Sequence, residues 1–231
     1  MSASPARERM IEKLLPSPVE VAEAFGDDPA AMLFPAEQAI IARASDRRRR
    51  EFATARGCAR TALGRLGQPP VAVLTDSEGA PQWPAGVAGS ITHCLGYRAA
   101  AVASTRAVVS LGLDAEPNGA LRDPGMLDII ALDEERARLG ELAAAIPGVC
   151  WDRLLFCAKE AVYKAWYPLA RCWLDFKSAD IVIDARAGTF EARLLVPGPP
   201  VAGSPLATLP GRWLAGRGLL VAAVVIPVSR P

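Results

Sequence analysis

A chain of 231 residues, 51% of them hydrophobic, can build one large domain or two small ones with a substantial core. Its formal net charge of +1 leaves no global field to draw nucleic acid or an anionic membrane. Five scattered cysteines without a C-x-x-C pair, beside one histidine, argue for buried free thiols in a reducing compartment and against zinc.

The N-terminus Met1-Ser2-Ala3-Ser4-Pro5 lacks an apolar signal core. Residues 8–15 and 18–25 read as short helices, from Ile11, Leu14 and Leu15 and then Val19, Val21, Ala22 and Phe25. Pro35 opens a long helix over 36–66, with Phe52, Ala55, Ala59, Ala62, Leu63 and Leu66 on one face, closed by Gly67 and Pro69-Pro70. Its basic run, Arg47 to Arg50, reads as a solvated helix face, and no aromatic residues alternate with it as a single-strand binder would require.

Strands are predicted near 71–74, 87–92, 98–104 and 107–114, separated by Gly/Pro turns. Short helices at 126–131 and 134–145 precede a helix at 151–166, which Pro168 keeps from extending much further. Strands near 180–184, 190–196, 212–215 and 218–226 complete the chain. The longest apolar run, Gly218 to Pro227, is too short to span a bilayer, so a soluble cytoplasmic protein is expected. Each half reads as one principal helix with a small, mainly antiparallel sheet, giving an α+β class without a clear internal repeat.

Two segments carry chemistry. The β-branched run Ala107 to Leu113 ends in Asp114-Ala115-Glu116-Pro117, and positions i and i+2 of a strand share a face, so both carboxylates can meet one ion. A lone D-x-E is more often a polar exit from a strand. In the helix beginning Trp151, Glu160 and Lys164 lie four apart on one face with Lys159 beside them, a pattern that alone describes a solvated salt-bridge face. Together the segments supply three carboxylates and two lysines, the parts needed to hold a divalent metal and a polyphosphate. Near a cleft, the strand-end Asp114 is expected to contribute little packing.

D-x-E after a buried strand, followed by W-x5-C-x-K-E-x3-K, resembles the 4′-phosphopantetheinyl transferases of the long type that activates siderophore, surfactin and mycolate synthases. Gly89-Ser90-Ile91-Thr92-His93 resembles that family's G-S-[IL]-[TS]-H segment, and Arg47 to Arg60 resembles the arginine-bearing helix of its actinobacterial members. Four blocks in order make the match specific.

The resemblance implies a pseudo-dimer of two similar α/β halves, residues 1–113 and 114–231, with the active site between them. It implies transfer of 4′-phosphopantetheine from coenzyme A to a serine of acyl and peptidyl carrier proteins, as in polyketide and nonribosomal peptide biosynthesis, releasing adenosine 3′,5′-bisphosphate. The enzyme would be a monomer using Mg²⁺, or Mn²⁺ in its place, on Asp114, Glu116 and Glu160. Glu160 could also serve as general base, a role that competes with metal binding. Coenzyme A would meet Arg48, Arg56, Thr92, His93, Asp114, Lys159, Glu160 and Lys164, with Lys164 the better candidate for direct phosphate contact and either lysine open to being a surface residue. Arg49, seven residues from Arg56, rivals Arg48 on helical phase. Family relatives carry a lysine in the turn after the first strand; here that turn, Thr75-Asp76-Ser77-Glu78-Gly79, has none, and its contact with the nucleotide is expected through Thr75, Asp76, Ser77 and Glu78. Arg171-Cys172-Trp173-Leu174 reads either as a carrier-docking rim or as ordinary core. The rival readings are a Mg²⁺-dependent coenzyme A pyrophosphatase and a noncatalytic carrier-binding module.

Overall fold

The computed structural model describes residues 10–123 and 125–228. A short 3-10 turn, Ile11–Lys13, leads into strand β1, Glu20–Phe25; the part of the expected first helix before residue 10 lies outside the described residues. Residues 20–25 are therefore extended, not helical. They pair antiparallel with a later strand along their whole length, Glu20 opposite Val102 and Phe25 opposite Tyr97, and the ladder overrides the apolar spacing that suggested a helix.

The expected long helix is two: α1, Pro35–Ile40, and α2, Asp46–Arg65. Ser45 breaks them apart by capping α2, its hydroxyl accepting from Arg48 N at 3.4 Å. The carbonyls of Ala44 and Ala42 are satisfied by the Arg49 guanidinium at 3.0 and 2.6 Å. Phe52, Ala55, Cys58, Ala59, Ala62 and Leu63 form the buried face of α2.

The predicted strand at 71–74 joins no ladder, and an isolated bridge between Thr75 and Pro81 is its nearest pairing. Side chains take the backbone instead: Val73 N donates to Glu37 at 2.9 Å and Val73 O accepts from Arg56 Nε at 2.7 Å. Strands β2, Val87–Cys94, and β3, Tyr97–Ser104, follow as a hairpin, and the sheet order is β1-β3-β2 with α2 packed on it.

Strand β4, Val108–Pro117, starts a five-stranded antiparallel sheet. After it come α3, Met126–Ile130, α4, Asp133–Ala145, α5, Trp151–Ala170, β5, Ala179–Asp184, and β6, Thr189–Leu194. A two-residue hairpin that the sequence did not signal, β7, Pro200–Val201, and β8, Ser204–Pro205, leads to β9, Thr208–Gly216, and β10, Leu219–Pro227. The order is β4-β10-β9-β6-β5, and β4 pairs with β10 on both sides of residue 113. Helix α5 runs through Pro168 to Ala170, at the cost of one intrahelical bond, and ends with Arg171 in the left-handed region at φ 52°.

Alternation along β4 divides its residues. Leu111, Leu113 and Ala115 enter one apolar cluster with Tyr97 and Val221, while Ser110, Gly112, Asp114 and Glu116 share the other face, under α5. Gly112 allows the helix to approach: a Cβ there would lie 1.9 Å from the Ala161 carbonyl oxygen. The two sheets meet at β2 and β4 without a ladder. Ser90 and Thr92, two apart on β2, accept through their hydroxyls from Leu113 N and Ala115 N, each at 3.0 Å. No helix among the described residues is long and apolar enough to cross a membrane.

Candidate active site

Between α2, β2, the 75–83 loop and the face of α5 that carries Glu160, Lys164 and Tyr167 lies a cleft of about 660 Å³, within the usual range for a cofactor site. Of the residues singled out from sequence, Arg48, Arg56, Thr75, Asp76, Glu78, Thr92, His93, Glu160 and Lys164 line it. Ser77, Asp114, Glu116 and Lys159 do not, and neither does Arg49, which is committed to the α1–α2 junction. Between the two rival arginines, geometry brings Arg48 to the cleft.

One end is cationic. Arg48 Nη1 lies 2.6 Å from His93 Nε2. Arg56 is buried, stacked 4.0 Å over the Phe52 ring, and burial pulls its pKa down to about 10 against the attraction of Glu37. Solvent reaches His93 from the cleft, yet burial of the ring, with the charges of Arg48, Lys164, Arg98 and Arg56, pushes its pKa down to about 4. The imidazole is neutral at pH 7 and accepts from Arg48. A cleft that concentrates cations around a neutral histidine is built to receive an anion.

Two carboxylates lie behind this lining, Asp114 in contact with the cleft residues Lys164 and Thr92. Asp114 is buried beneath α5; its Oδ1 accepts from Lys164 Nζ at 2.6 Å and from Thr92 Oγ1 at 3.2 Å, while Oδ2 accepts no well-formed hydrogen bond among the described residues and the buried Cys157 thiol lies beside the carboxylate. Asp114 is thus a packed, bonded residue, which corrects the expectation that it contributes little. Its attraction raises the Lys164 pKa despite burial, which works the other way. Glu116 is held by Arg153 at 2.9 Å, and Arg153 also donates to the carbonyls of Gly119 and Ala120. The sequence reading missed Arg153; its spacing of seven and eleven from Glu160 and Lys164 is the signal that places all three on one side of α5. Burial first, then the charge on Asp114, raises the pKa of both Glu116 and Glu160. Arg153 opposes this at Glu116 and Lys164 at Glu160. Among the described residues Glu160 makes no hydrogen bond or ion pair, so its carboxylate is free to act in the cleft.

Lys159 does not join this group. It is buried on the far side of α5, donating to Glu135 at 2.8 Å, to Phe176 O at 2.7 Å and to Ala179 O at 3.0 Å. Adjacent helix positions diverge by about 100°, and the core captures this one. Lys159→Met should therefore destabilise the fold by about 3–5 kcal/mol by stranding Glu135. The denaturant midpoint should fall while coenzyme A affinity of the folded fraction holds; lost affinity at unchanged stability would return Lys159 to the site.

No three His, Cys, Asp or Glu side chains among the described residues are drawn together as a metal cage. Asp114 and Glu116 are each turned to a cation, Lys164 and Arg153. The unbonded Asp114 Oδ2, with Glu116 and Glu160 both raised by burial and by the Asp114 charge, nevertheless fits a hard divalent ion that takes a few carboxylates and completes its shell elsewhere.

Comparison with known proteins decides the family. Residues 36–103 match the 4′-phosphopantetheinyl transferase N-terminal domain and residues 110–202 the 4′-phosphopantetheinyl transferase superfamily. The chain belongs to the 4′-phosphopantetheinyl transferases. Over 220 residues it is 56% identical to the 4′-phosphopantetheinyl transferase Svp of Streptomyces mobaraensis, covering 94% of this chain and 89% of that one. It is 44% identical to PptT of Mycobacterium tuberculosis over 225 residues, 94% of this chain and 98% of the relative. To Npt of Nocardia iowensis it is 47% identical over 223 residues, 93% and 99% of the two chains. As a phosphopantetheinyl transferase it is an enzyme acting with coenzyme A on carrier proteins, and the α+β architecture agrees with that family's two-part fold. The cationic end of the cleft and the carboxylates of β4 lie on opposite sides of the boundary between the two matched segments, with β2 and β4 bringing them together.

Proposed function

We propose that this transferase moves the 4′-phosphopantetheine arm of coenzyme A to a carrier-protein serine with Mg²⁺, through the residues that converge on the cleft. The carrying observation is the juxtaposition of Arg48, Arg56, His93 and Lys164 with the unpartnered Glu160 carboxylate in one cavity. Asp114, Glu116 and Glu160 would hold the ion, with phosphate oxygens and water completing its shell, and Mn²⁺ could replace it. When bound, the ion neutralises charge building on the pyrophosphate oxygens.

Lys164 supplies the same neutralisation from the protein side, and Asp114 keeps it charged and aimed. The carrier serine hydroxyl attacks the β-phosphorus, Glu160 takes its proton directly or through one water, and adenosine 3′,5′-bisphosphate leaves. The raised pKa of Glu160 brings it closer to the operating range of a general base. The division of labour proposed for the two parts of the chain is coenzyme binding up to residue 113 and metal and base beyond it. We read the protein as a cytoplasmic monomer serving acyl and peptidyl carriers, with Trp173, 65% exposed beside Tyr163, on the docking rim. Leu174, at 7%, is core. Incubation with Mg²⁺, coenzyme A and apo-carrier, read by intact mass, should add one phosphopantetheine group. Coenzyme A cleavage without carrier loading would instead favour a pyrophosphatase.

Arg56 and His93 give two further expectations. Arg56→Ala should raise KM for coenzyme A more than for dephospho-coenzyme A, with a loss of about 1.5–3 kcal/mol if the 3′-phosphate is its partner. Equal losses on both substrates would move it elsewhere. As the sole histidine, His93 gives unique imidazole signals in NMR. In the free protein its pKa should lie well below the ordinary 6.5, so that acid costs stability as pH falls from 6.5 toward 4. Adenosine 3′,5′-bisphosphate should raise it by about one unit or more. An unmoved titration would remove His93 from phosphate contact.

A further inference from the structure

The loop over residues 75–81 forms one wall of the cleft and folds mainly on itself. Asp76 N donates to Ala80 O at 3.0 Å, Gly79 N donates to Asp76 O at 3.1 Å, and Asp76 Oδ1 accepts from Glu78 N at 3.0 Å and Ala80 N at 2.9 Å. One carboxylate oxygen thus organises the turn. The other does something different. Asp76 Oδ2 accepts from Tyr167 Oη at 3.1 Å and faces Arg171 Nη1 at 3.7 Å, both at the end of α5. Among the described residues these are the only hydrogen bonds or ion pairs from the loop to another element.

We propose that Asp76 is a positioning residue for coenzyme A, a latch whose carboxylate ties the cleft-wall loop to the C-terminal end of α5 and sets the cleft width. This rests on the coenzyme-binding reading above and assigns Asp76 a role other than direct contact. Both oxygens of Asp76 are already engaged within the protein, and a carboxylate has no attraction for a coenzyme phosphate. Meanwhile α5 carries Glu160 and Lys164 two turns or less before Tyr167, so the latch fixes the loop relative to the catalytic helix itself. The left-handed Arg171 turns the chain at that point and brings its guanidinium within 5.8 Å of the Tyr167 ring. With Arg171 69% exposed and at the longer distance, Tyr167 is the principal partner.

Tyr167→Phe removes the hydroxyl alone, and Asp76→Asn removes the charge while keeping the turn-forming oxygen. Coenzyme A binding, measured by calorimetry without carrier, should weaken about tenfold in either variant, because an untied loop would hold the binding position about a tenth of the time. The double variant should be no weaker than the worse single one, because both remove one interaction. At saturating coenzyme A, kcat should fall by less than KM rises, and the melting temperature of Tyr167→Phe should fall by no more than about a few degrees. Unchanged affinity in Tyr167→Phe, additive losses in the double variant, or affinity lost only in step with melting temperature would each overturn the latch. The wild-type protein separates the two readings: absence of coenzyme A binding there defeats the proposed function, whereas normal binding by wild type and Tyr167→Phe alike defeats the latch alone.

Discussion

Asp114→Asn is expected to lower carrier loading by about a thousandfold or more, because the side chain serves both proposed sources of phosphate neutralisation at once. It would give up a charged ligand to the ion, and it would weaken the 2.6 Å bond that keeps Lys164 charged and aimed. Asparagine preserves shape and the Thr92 contact, which alanine would not. A second readout is independent of turnover. Glu116 and Glu160 have raised pKa values in the fold, so the stability they contribute is fully present below the ordinary value of 4.5 and is lost as pH climbs through the raised ones. Mg²⁺ should offset that loss, raising the wild-type melting temperature more at about pH 8 than at about pH 5, where carboxylates begin to protonate. Near-normal loading by Asp114→Asn, or an undiminished Mg²⁺ shift, would remove Asp114 from the metal set.

Glu160→Gln separates two roles. As a lost base, it should depress the rate by about 10²–10⁴-fold at any metal concentration, since an amide cannot take the serine proton. As a lost ligand, it should recover with higher Mg²⁺ or Mn²⁺. Partial rescue is expected, because the free carboxylate lies near Asp114, Glu116 and Lys164 yet is bound to none of them. In wild type the rate should rise with pH through a value above the ordinary carboxylate range, and that limb should vanish in Glu160→Gln. Full activity of the variant at low Mg²⁺ would exclude both roles.

Much of this site could be read from the chain because its residues recur at the periods of regular structure. Asp114 and Glu116 are two apart on a strand, and Glu160 and Lys164 four apart on a helix, so one face follows from spacing. Lys159 shows where that logic ends: one position from Glu160, it turns to a buried carboxylate on α4 that no local pattern announces. Ser90 and Thr92 were visible as a motif, but their partners, the amides of β4, are more than twenty residues away in sequence. The mistaken helix at 18–25 has the same origin, since apolar residues there satisfied helical spacing while the deciding partner was β3. The division of the long helix at Ser45 and the loss of a strand at 71–74 both came from side chains bonding to backbone, Arg49 in one case and Glu37 with Arg56 in the other.

Gly112 brings the backbone of β4 against the backbone of α5. Side-chain packing is adjustable, since a methyl group can move by tenths of an ångström when its neighbours change; two main chains in contact have no such play. The span from the carboxylates of β4 to Glu160 and Lys164 is therefore set first by a backbone contact, with the Lys164–Asp114 bond closing it from the side-chain end. A side chain at position 112 would part strand from helix and lengthen that span, so the reach of the metal ligands toward the base is written into the absence of one methyl group.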